Sequence, residues 1–174
     1  TWNATAIERV YTMTILGLTF DDRLTFRPHA EELLKFMYRN LGFLKRITAK
    51  LTGPRRRICE LLYKSIVMGK FNYLAEIWSS NILATQKLEL QRVQCMFAKL
   101  CAGITFKGAH GLSAVCEMGW LRNDFHWNWT YGKLMSKIIC LPLQHRLRIM
   151  WSKALVTNSL ADPNQFRVLR RGYN

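Results

Sequence analysis

The chain has 174 residues, of which 49% are apolar. This length and composition allow one hydrophobic core, or two small cores in series, and exclude an intrinsically disordered protein. The sequence contains no run of eighteen apolar residues and does not begin with the pattern of a secretory signal, so we expect an intracellular protein that does not span a membrane. Its five cysteines are an odd number without regular spacing, which argues against a disulfide-stapled secreted domain.

The net charge of +15 is unevenly distributed. Residues 1–30 contain three bases and three acids, so the remaining 23 bases and eight acids carry the whole excess. A strong positive field on a chain with six Trp, six Tyr and nine Phe residues predicts a polyanionic partner, because phosphate binding releases counterions and aromatic rings stack on exposed bases. The alternative is a basic surface that serves only solubility.

The first predicted elements are an extended segment and a long amphipathic helix. Residues 7–20 are rich in Thr, Ile, Val, Tyr and Phe, which predicts extended backbone. A turn at 21–23 follows, and Thr25 is the predicted N-cap of a helix with Pro28 in its first turn. Apolar residues then recur at spacings of three and four and predict this buried face: Leu33, Met37, Leu41, Leu44, Ile47 and Leu51. The bases off this face are Lys35, Arg39, Lys45, Arg46 and Lys50.

Shorter helices are predicted for the rest of the chain. Gly53 and Pro54 break the first helix, and a second helix follows with this predicted buried side: Ile58, Leu61, Leu62, Ser65, Ile66 and Gly69. A third helix at 85–101 is predicted to end before Gly103 and to direct inward Leu88, Val93, Phe97 and Leu100. Helical sequence at 125–139 and a last helix from Pro142 to about residue 156 follow. The predicted fold class is therefore all-α, a mainly helical bundle, with a short N-terminal β element.

Three motifs in chain order resemble a known family. The run from Ile15 to Leu24 reads ILGLTFDDRL and leads through Phe26 and His29 into the first helix. The run YLAEIW lies at 73–78, and LQRVQ at 90–94 precedes Gly103. In this order, over about residues 10–120, the runs resemble the reverse transcriptases of non-LTR, LINE-like retrotransposons. There, a Leu-Gly pair lies on the hairpin called the primer grip, at the end of the palm, and a Tyr-Gly-Ala-Glu-x-Trp stretch follows.

The resemblance implies a domain division and a role for the hairpin. In that family the primer grip is followed by the thumb, a helical bundle that presses on the backbone of the template–primer duplex. Accordingly, 1–24 would be an extended element from the end of the palm, 25–102 a thumb-like bundle and 103–174 a helical, basic C-terminal region. Leu16 and Gly17 would position a primer end, with Gly17 small so that nucleic acid approaches closely. A strand bend or tight packing is the alternative reason for this glycine.

One position departs from the family pattern, and one acidic run is rejected as a catalytic site. Leu74 stands where the family commonly has Gly. The run Phe20-Asp21-Asp22 differs in spacing from the aromatic-x-Asp-Asp motif of polymerases, and the only acid upstream is Glu8. We therefore assign Asp21 and Asp22 to turn and capping chemistry.

A zinc site is also rejected. The candidate ligands would be Cys95, Cys101, His110 and Cys116. Six positions along a helix leave Cys95 and Cys101 roughly 120° apart around the axis, which does not suit a shared metal ion. We predict no catalytic residues, no metal and no cofactor.

The sequence thus predicts a binding module rather than an enzyme: the thumb-like part of a reverse-transcriptase-like protein, gripping the phosphate backbone. The predicted partners are RNA, an RNA–DNA hybrid or DNA, and other proteins if the chain is part of a ribonucleoprotein. The predicted location is the nucleus, a ribonucleoprotein particle or the mitochondrion. The alternative is a domesticated retroelement remnant, a structural RNA-binding protein of a particle such as a ribosome.

Because acids are scarce, we expect at least two of three adjacent arginines, 55–57, to face phosphate. The predicted nucleic-acid-binding residues are Leu16, Gly17, Lys35, Arg39, Lys45, Arg46, Lys50, Arg55, Arg56 and Arg57.

Overall fold

The computed structural model describes residues 10–50, 55–104 and 110–152. They are mainly helical with one antiparallel hairpin, so the predicted fold class is confirmed. The chain divides into two units, Thr1–Thr130 and Tyr131–Asn174, and the domain limits predicted at 24 and 102 stay predictions. No helix within the described ranges is long and apolar enough to cross a membrane. The elements are β1 (Thr12–Ile15), β2 (Leu18–Asp21), α1 (Arg27–Lys50), α2 (Arg55–Leu62), a π-helical turn (Tyr63–Met68), α3 (Gly69–Phe71), α4 (Ala75–Trp78), α5 (Ala84–Ala102), α6 (Gly111–Glu117) and α7 (Asn123–Ile139).

From residue 10 onward the predicted extended segment is a hairpin with a two-residue turn, and residues 7–9 lie outside the described part. β1 pairs antiparallel with β2, and Ile15 lies opposite Leu18. The two residues between them, Leu16 and Gly17, have φ angles of 50° and 80°. Positive φ at both central positions is what a type I′ turn requires, and this turn matches the right-handed twist of paired strands. The turn itself therefore explains why residue 17 is a glycine.

Asp21 caps the chain where it enters α1. Its carboxylate accepts hydrogen bonds from the Phe26 N–H and the Thr25 hydroxyl, each 2.7 Å long. Removal from water alone would raise the pKa of Asp21, but these hydrogen bonds outweigh that effect and hold the pKa below its usual value. The assignment of Asp21 to turn and capping chemistry is confirmed. The predicted N-cap is wrong by one residue, because α1 begins at Arg27 and Phe26 precedes it.

The amphipathic pattern of α1 is confirmed. Leu33, Met37, Leu41 and Leu44 are buried, and Ile47 is half-buried. Each fully buried side chain of this size stabilises the fold by roughly 1.5–3 kcal/mol. Leu51, the last residue of the predicted face, and the predicted break at 52–54 lie outside the described residues.

The predicted buried side of the second helix is confirmed only for Leu62 and Ile66, which are half-buried and pack against the core. Ile58, Leu61, Ser65 and Gly69 are exposed. The buried residues recur at a strict spacing of four: Cys59, Tyr63, Val67 and Phe71. Four residues turn an α-helix through about 400°, so such a repeat drifts by about 40° at each step. The wider turn of the π-helical segment offsets this drift and keeps all four side chains against the core.

One inward position predicted for α5 is also wrong. Val93 and Phe97 are buried as predicted, and Leu100 is half-buried. Leu88, however, is exposed, and Leu90 takes an inward position instead. The helix ends as predicted at Gly103, which has a φ of 72°.

Two buried glutamines explain this shift on α5. Gln86 Nε2 donates to the Arg27 carbonyl over 3.2 Å, and Gln94 Nε2 donates to the Leu121 carbonyl over 2.9 Å. A buried amide with a hydrogen-bond partner avoids the cost of an unpaired polar group. The glutamines therefore join α5 to the start of α1 and to the segment before α7. Because both side chains are polar, a search for apolar residues would not place Gln86 and Gln94 in the core.

The C-terminal helices of the first unit pack closely on α5 and α4. A Cβ added to Gly111 would lie 2.7 Å from Cys95 Cβ, so α6 approaches α5 too closely for any other residue there. The indole of Trp127 on α7 lies 5.7 Å from the ring of Phe71 and 5.5 Å from that of Trp78. Trp127 is thus a core residue.

The second unit contains the end of α7 and one further helical stretch, at 146–152. This helix begins later than the predicted Pro142, because the His145 N–H donates to the Pro142 carbonyl in a turn. Arg148 Nη1 donates to the Leu141 carbonyl over 2.6 Å and holds the turn against the helix. The predicted end of this helix lies outside the described residues.

Candidate nucleic-acid interface

The outward face of α1 carries a basic stripe, formed by Lys35, Arg39 and Arg46. All three are exposed. Their spacings of four and seven place them within a narrow sector of the helix, opposite the buried face. Gly42 lies in the same sector, between Arg39 and Arg46, and a Cβ at this position would meet nothing within 4 Å. Lys45 is exposed at the side of this stripe, and the side chain of Lys50 is outside the described part.

The acids nearest to the stripe in sequence are Glu31 and Glu32, one helical turn before Lys35 at the N-terminal end of the stripe. From residue 33 to residue 50 the sequence has five bases and no acid. None of the ion pairs formed among the described residues includes a base of α1. Arg46 Nε donates to the Gly42 carbonyl, over 3.4 Å, which leaves the guanidinium charge without a counterion. The stripe is therefore a local concentration of positive potential.

The tip of the hairpin presents an exposed apolar side chain. Leu16 has 81% of its surface exposed and a φ of 50°. A left-handed conformation costs a non-glycine residue roughly 1–2 kcal/mol. A Cβ at Gly17 would lie 3.9 Å from Tyr73 Cε1, so the tip lies over the ring of Tyr73. Leu16 therefore presents an exposed apolar side chain that does not serve the core.

Hydrogen bonds from Thr19 attach the hairpin to the first turns of α1. The Thr19 N–H donates to His29 Nδ1 over 3.4 Å, and its hydroxyl donates to Glu32 Oε2 over 2.9 Å. His29 is buried, and burial lowers its pKa; Lys70 acts in the same direction and Glu32 opposes it. A neutral imidazole can accept the Thr19 N–H, whereas an imidazolium cannot. The hairpin and the basic stripe are thus parts of one rigid arrangement.

Residues of the second sequence motif, at 73–78, contact His29, which follows the first motif at the start of α1. Trp78 packs on His29, and its indole N–H donates to the Tyr73 carbonyl over 3.0 Å. Leu74, between them, has φ 49° and ψ 31°, which is the left-handed region that favours glycine. The position where this chain departs from the family pattern therefore has the backbone conformation that a glycine would adopt most easily.

Two of the three adjacent arginines, Arg56 and Arg57, have described side chains. Arg56 Nη2 donates to the Glu117 carbonyl over 2.8 Å, and its Nη1 lies 3.4 Å from Glu117 Oε1. Arg57 is exposed, and the side chain of Arg55 is outside the described part. The expectation that at least two of them face phosphate stays a prediction. The acidic partner of Arg56 is distant in sequence, so no local pattern could have indicated it.

The cysteines named as candidate zinc ligands have different surroundings. Cys101 is buried and Cys116 is exposed. Burial raises the pKa of the Cys101 thiol to about 12, with Cys59 contributing. Cys95 packs against Gly111. Within the described ranges, no group of three His, Cys, Asp or Glu residues is arranged to hold a metal ion.

Comparison with known proteins gives one partial match. No family model matches the chain, and no solved structure matches it. Over 76 residues, 44% of this chain, it is 32% identical to the Retrovirus-related Pol polyprotein from type-1 retrotransposable element R1 of Bradysia coprophila. The match spans 8% of that polyprotein's length. The similarity supports a retrotransposon-related origin for the chain.

Proposed function

We propose that this chain is a thumb-like module of a reverse-transcriptase-like protein that grips the phosphate backbone of a nucleic acid and has no catalytic residues of its own. The observation that carries the proposal is the basic stripe of α1, which is exposed, takes part in none of the ion pairs among the described residues and is fixed to the hairpin. Phosphate contacts by such bases bind RNA, DNA or a hybrid with little sequence preference.

The geometry of the stripe suits an extended polyanion. From Lys35 to Arg46 it covers roughly 16 Å along the helix axis, a length that reaches several phosphates. Gly42 leaves the centre of the stripe flat, which allows a sugar–phosphate backbone to approach the helix closely. A glycine inside a helix costs roughly 0.5–1 kcal/mol relative to alanine, and no packing contact here requires one.

The hairpin tip supports a second contact. Leu16 stands at the position that the primer grip occupies in the family that this sequence resembles, and its exposure leaves it available to a primer end. Asp21 is engaged in capping α1, which is a structural task rather than metal-dependent chemistry. We therefore assign binding and positioning to this chain and catalysis to a separate part of a larger protein.

The outer strand of the hairpin supports the idea of a larger protein. Every residue of β1 is exposed, and the apolar side chains of Val10, Met13 and Ile15 are among the exposed groups of this segment. Within the described residues, β1 pairs on one edge only, with β2. An apolar strand with a free edge is a common site of pairing with further structure. A preceding palm-like domain would cover it.

The test is a salt titration of nucleic-acid binding by the triple variant Lys35→Gln, Arg39→Gln, Arg46→Gln. The slope of log affinity against log salt should fall by roughly 0.7–0.9 for each phosphate that the variant no longer neutralises. The matched control removes three bases from α5 by Lys87→Gln, Arg92→Gln and Lys99→Gln, which changes the net charge equally. Equal reductions in both variants would show that net charge alone drives binding, and the proposal would then be wrong.

A further inference from the structure

Two aromatic side chains lie on the outward face of α7. Phe125 and Trp129 have 58% and 59% of their surface exposed, whereas Asn123 and Trp127 on the same helix are buried. Residues four apart lie about 40° from each other around the helix axis and about 6 Å apart along it. The two rings therefore occupy neighbouring positions on one exposed face, which we call the aromatic platform.

The surroundings of the platform favour a polyanion. The guanidinium of Arg122 lies 5.6 Å from the centre of the Phe125 ring, and its Nη2 lies 2.9 Å from Asp124 Oδ2. Further along α7, Lys133 and Lys137 add positive charge, and Asp124 is the one acid of this helix. Since that acid is already paired with Arg122, the helix as a whole is positively charged.

We propose that the aromatic platform binds unpaired bases of a single-stranded nucleic acid by stacking. Every base has a π face, so stacking on exposed rings needs no particular sequence. Bases of a duplex are covered by their neighbours, and the platform therefore favours single strands. This inference rests on the proposed function and deepens it, because it adds a single-strand site to a module whose basic stripe binds the backbone.

The aromatic platform and the basic stripe should differ in how their contributions to nucleic-acid affinity depend on salt concentration. Phosphate contacts release counterions and weaken as salt rises, whereas ring stacking releases none. Arg122 is neutralised by Asp124, so the platform contributes through its rings rather than through net charge. Removal of the rings should lower affinity without changing the slope of log affinity against log salt.

The experiment measures binding of the full chain to a labelled short RNA of mixed sequence, single-stranded or as a blunt duplex. The double variant Phe125→Ala, Trp129→Ala should bind the single strand roughly tenfold more weakly for each ring removed, with duplex affinity unchanged. Trp129→Phe keeps a ring and should bind better than Trp129→Leu. Leu88→Ala, which removes an equally exposed apolar side chain from α5, is the control and should change neither affinity.

Four outcomes would overturn the proposal. They are an unchanged single-strand affinity in the double variant, an equal reduction for duplex and single strand, equal binding by the Trp129→Phe and Trp129→Leu variants, and a loss of self-association with binding intact. The last result would make the platform a protein contact. Failure of the proposed function is distinguishable, because the triple variant of the basic stripe and its α5 control would then lower the salt slope equally, whatever the platform variants show.

Discussion

The imidazole of His29 lies against the indole of Trp78, with ring centroids 5.5 Å apart and an angle of 60° between the ring planes. This contact joins the first of the three sequence motifs to the second, and the Thr19 N–H approaches the same imidazole from β2. One buried side chain thus holds together the hairpin, the start of α1 and the segment that ends in α4.

Stability should fall as pH falls through the titration of His29. Because the pKa of His29 in the folded chain lies below its ordinary value of 6.5, the unfolded chain takes up a proton at the higher pH. The stability due to the neutral side chain is therefore present above about pH 6.5 and is lost as pH falls through the lower folded pKa. Urea unfolding at a series of pH values should show a smaller pH dependence for His29→Gln. Equal pH dependence would assign the effect to other titratable groups.

Leu74→Gly should be more stable than Leu74→Ala by about 1 kcal/mol. Both variants lack the half-buried side chain, but only glycine relieves the cost of the left-handed backbone. The comparison of the two variants cancels the effect of packing and isolates the effect of the backbone. Chemical denaturation of both proteins measures the difference, and a more stable alanine variant would contradict the left-handed assignment.

Leu16→Asn should stabilise the fold by roughly 0.5–1 kcal/mol, because asparagine tolerates the left-handed region better than leucine. The same change should weaken binding to a template–primer duplex with a recessed end. Leu24 provides the control, since it is exposed and has a φ of 53°. Leu24→Asn should give a similar gain in stability and leave binding unchanged. If both variants bind as the unaltered chain does, the hairpin tip has no part in primer positioning.

Gly42→Ala should raise stability by roughly 0.5–1 kcal/mol and weaken duplex binding several-fold. The added methyl group has space in the free protein but stands at the centre of the basic stripe. Gly69, where an added Cβ would likewise meet nothing within 4 Å, is the matched position, and Gly69→Ala should not alter duplex binding. Thermal unfolding and duplex titration test both effects. Unchanged binding by Gly42→Ala would mean that the backbone does not approach α1 at this point.

The sequence predicted those parts of the fold that follow ordinary helical periodicity. On α1, spacings of three and four identified both the buried face and the exposed bases. On the second helix the same reasoning was wrong for Ile58 and Leu61, which are exposed on α2, and the π-helical turn that follows changes the repeat further along. On α5 it missed Gln86 and Gln94, whose burial depends on carbonyl groups contributed by other segments.

The candidate site, like the fold, was predicted only in part from the sequence. Composition identified the bases of α1, but it could not show that Arg56 pairs with Glu117, since that contact depends on how α2 and α6 pack. Gly42 was missed, although a glycine between two bases on an outward helical face was a visible signal. The resemblance supplied Leu16, and the structure adds its exposure and its backbone conformation.

The π-helical turn at Tyr63–Met68 has a consequence for insertions and deletions. A π turn accommodates one residue more than an α turn of the same rise, so it is equivalent to a single inserted residue that the helix has absorbed. A related sequence that is one residue shorter between 63 and 68 could close this stretch into a plain α-helix and still direct Phe71 to the core. A gap at this place in an alignment would then record a change of helix geometry, with the fold on either side intact.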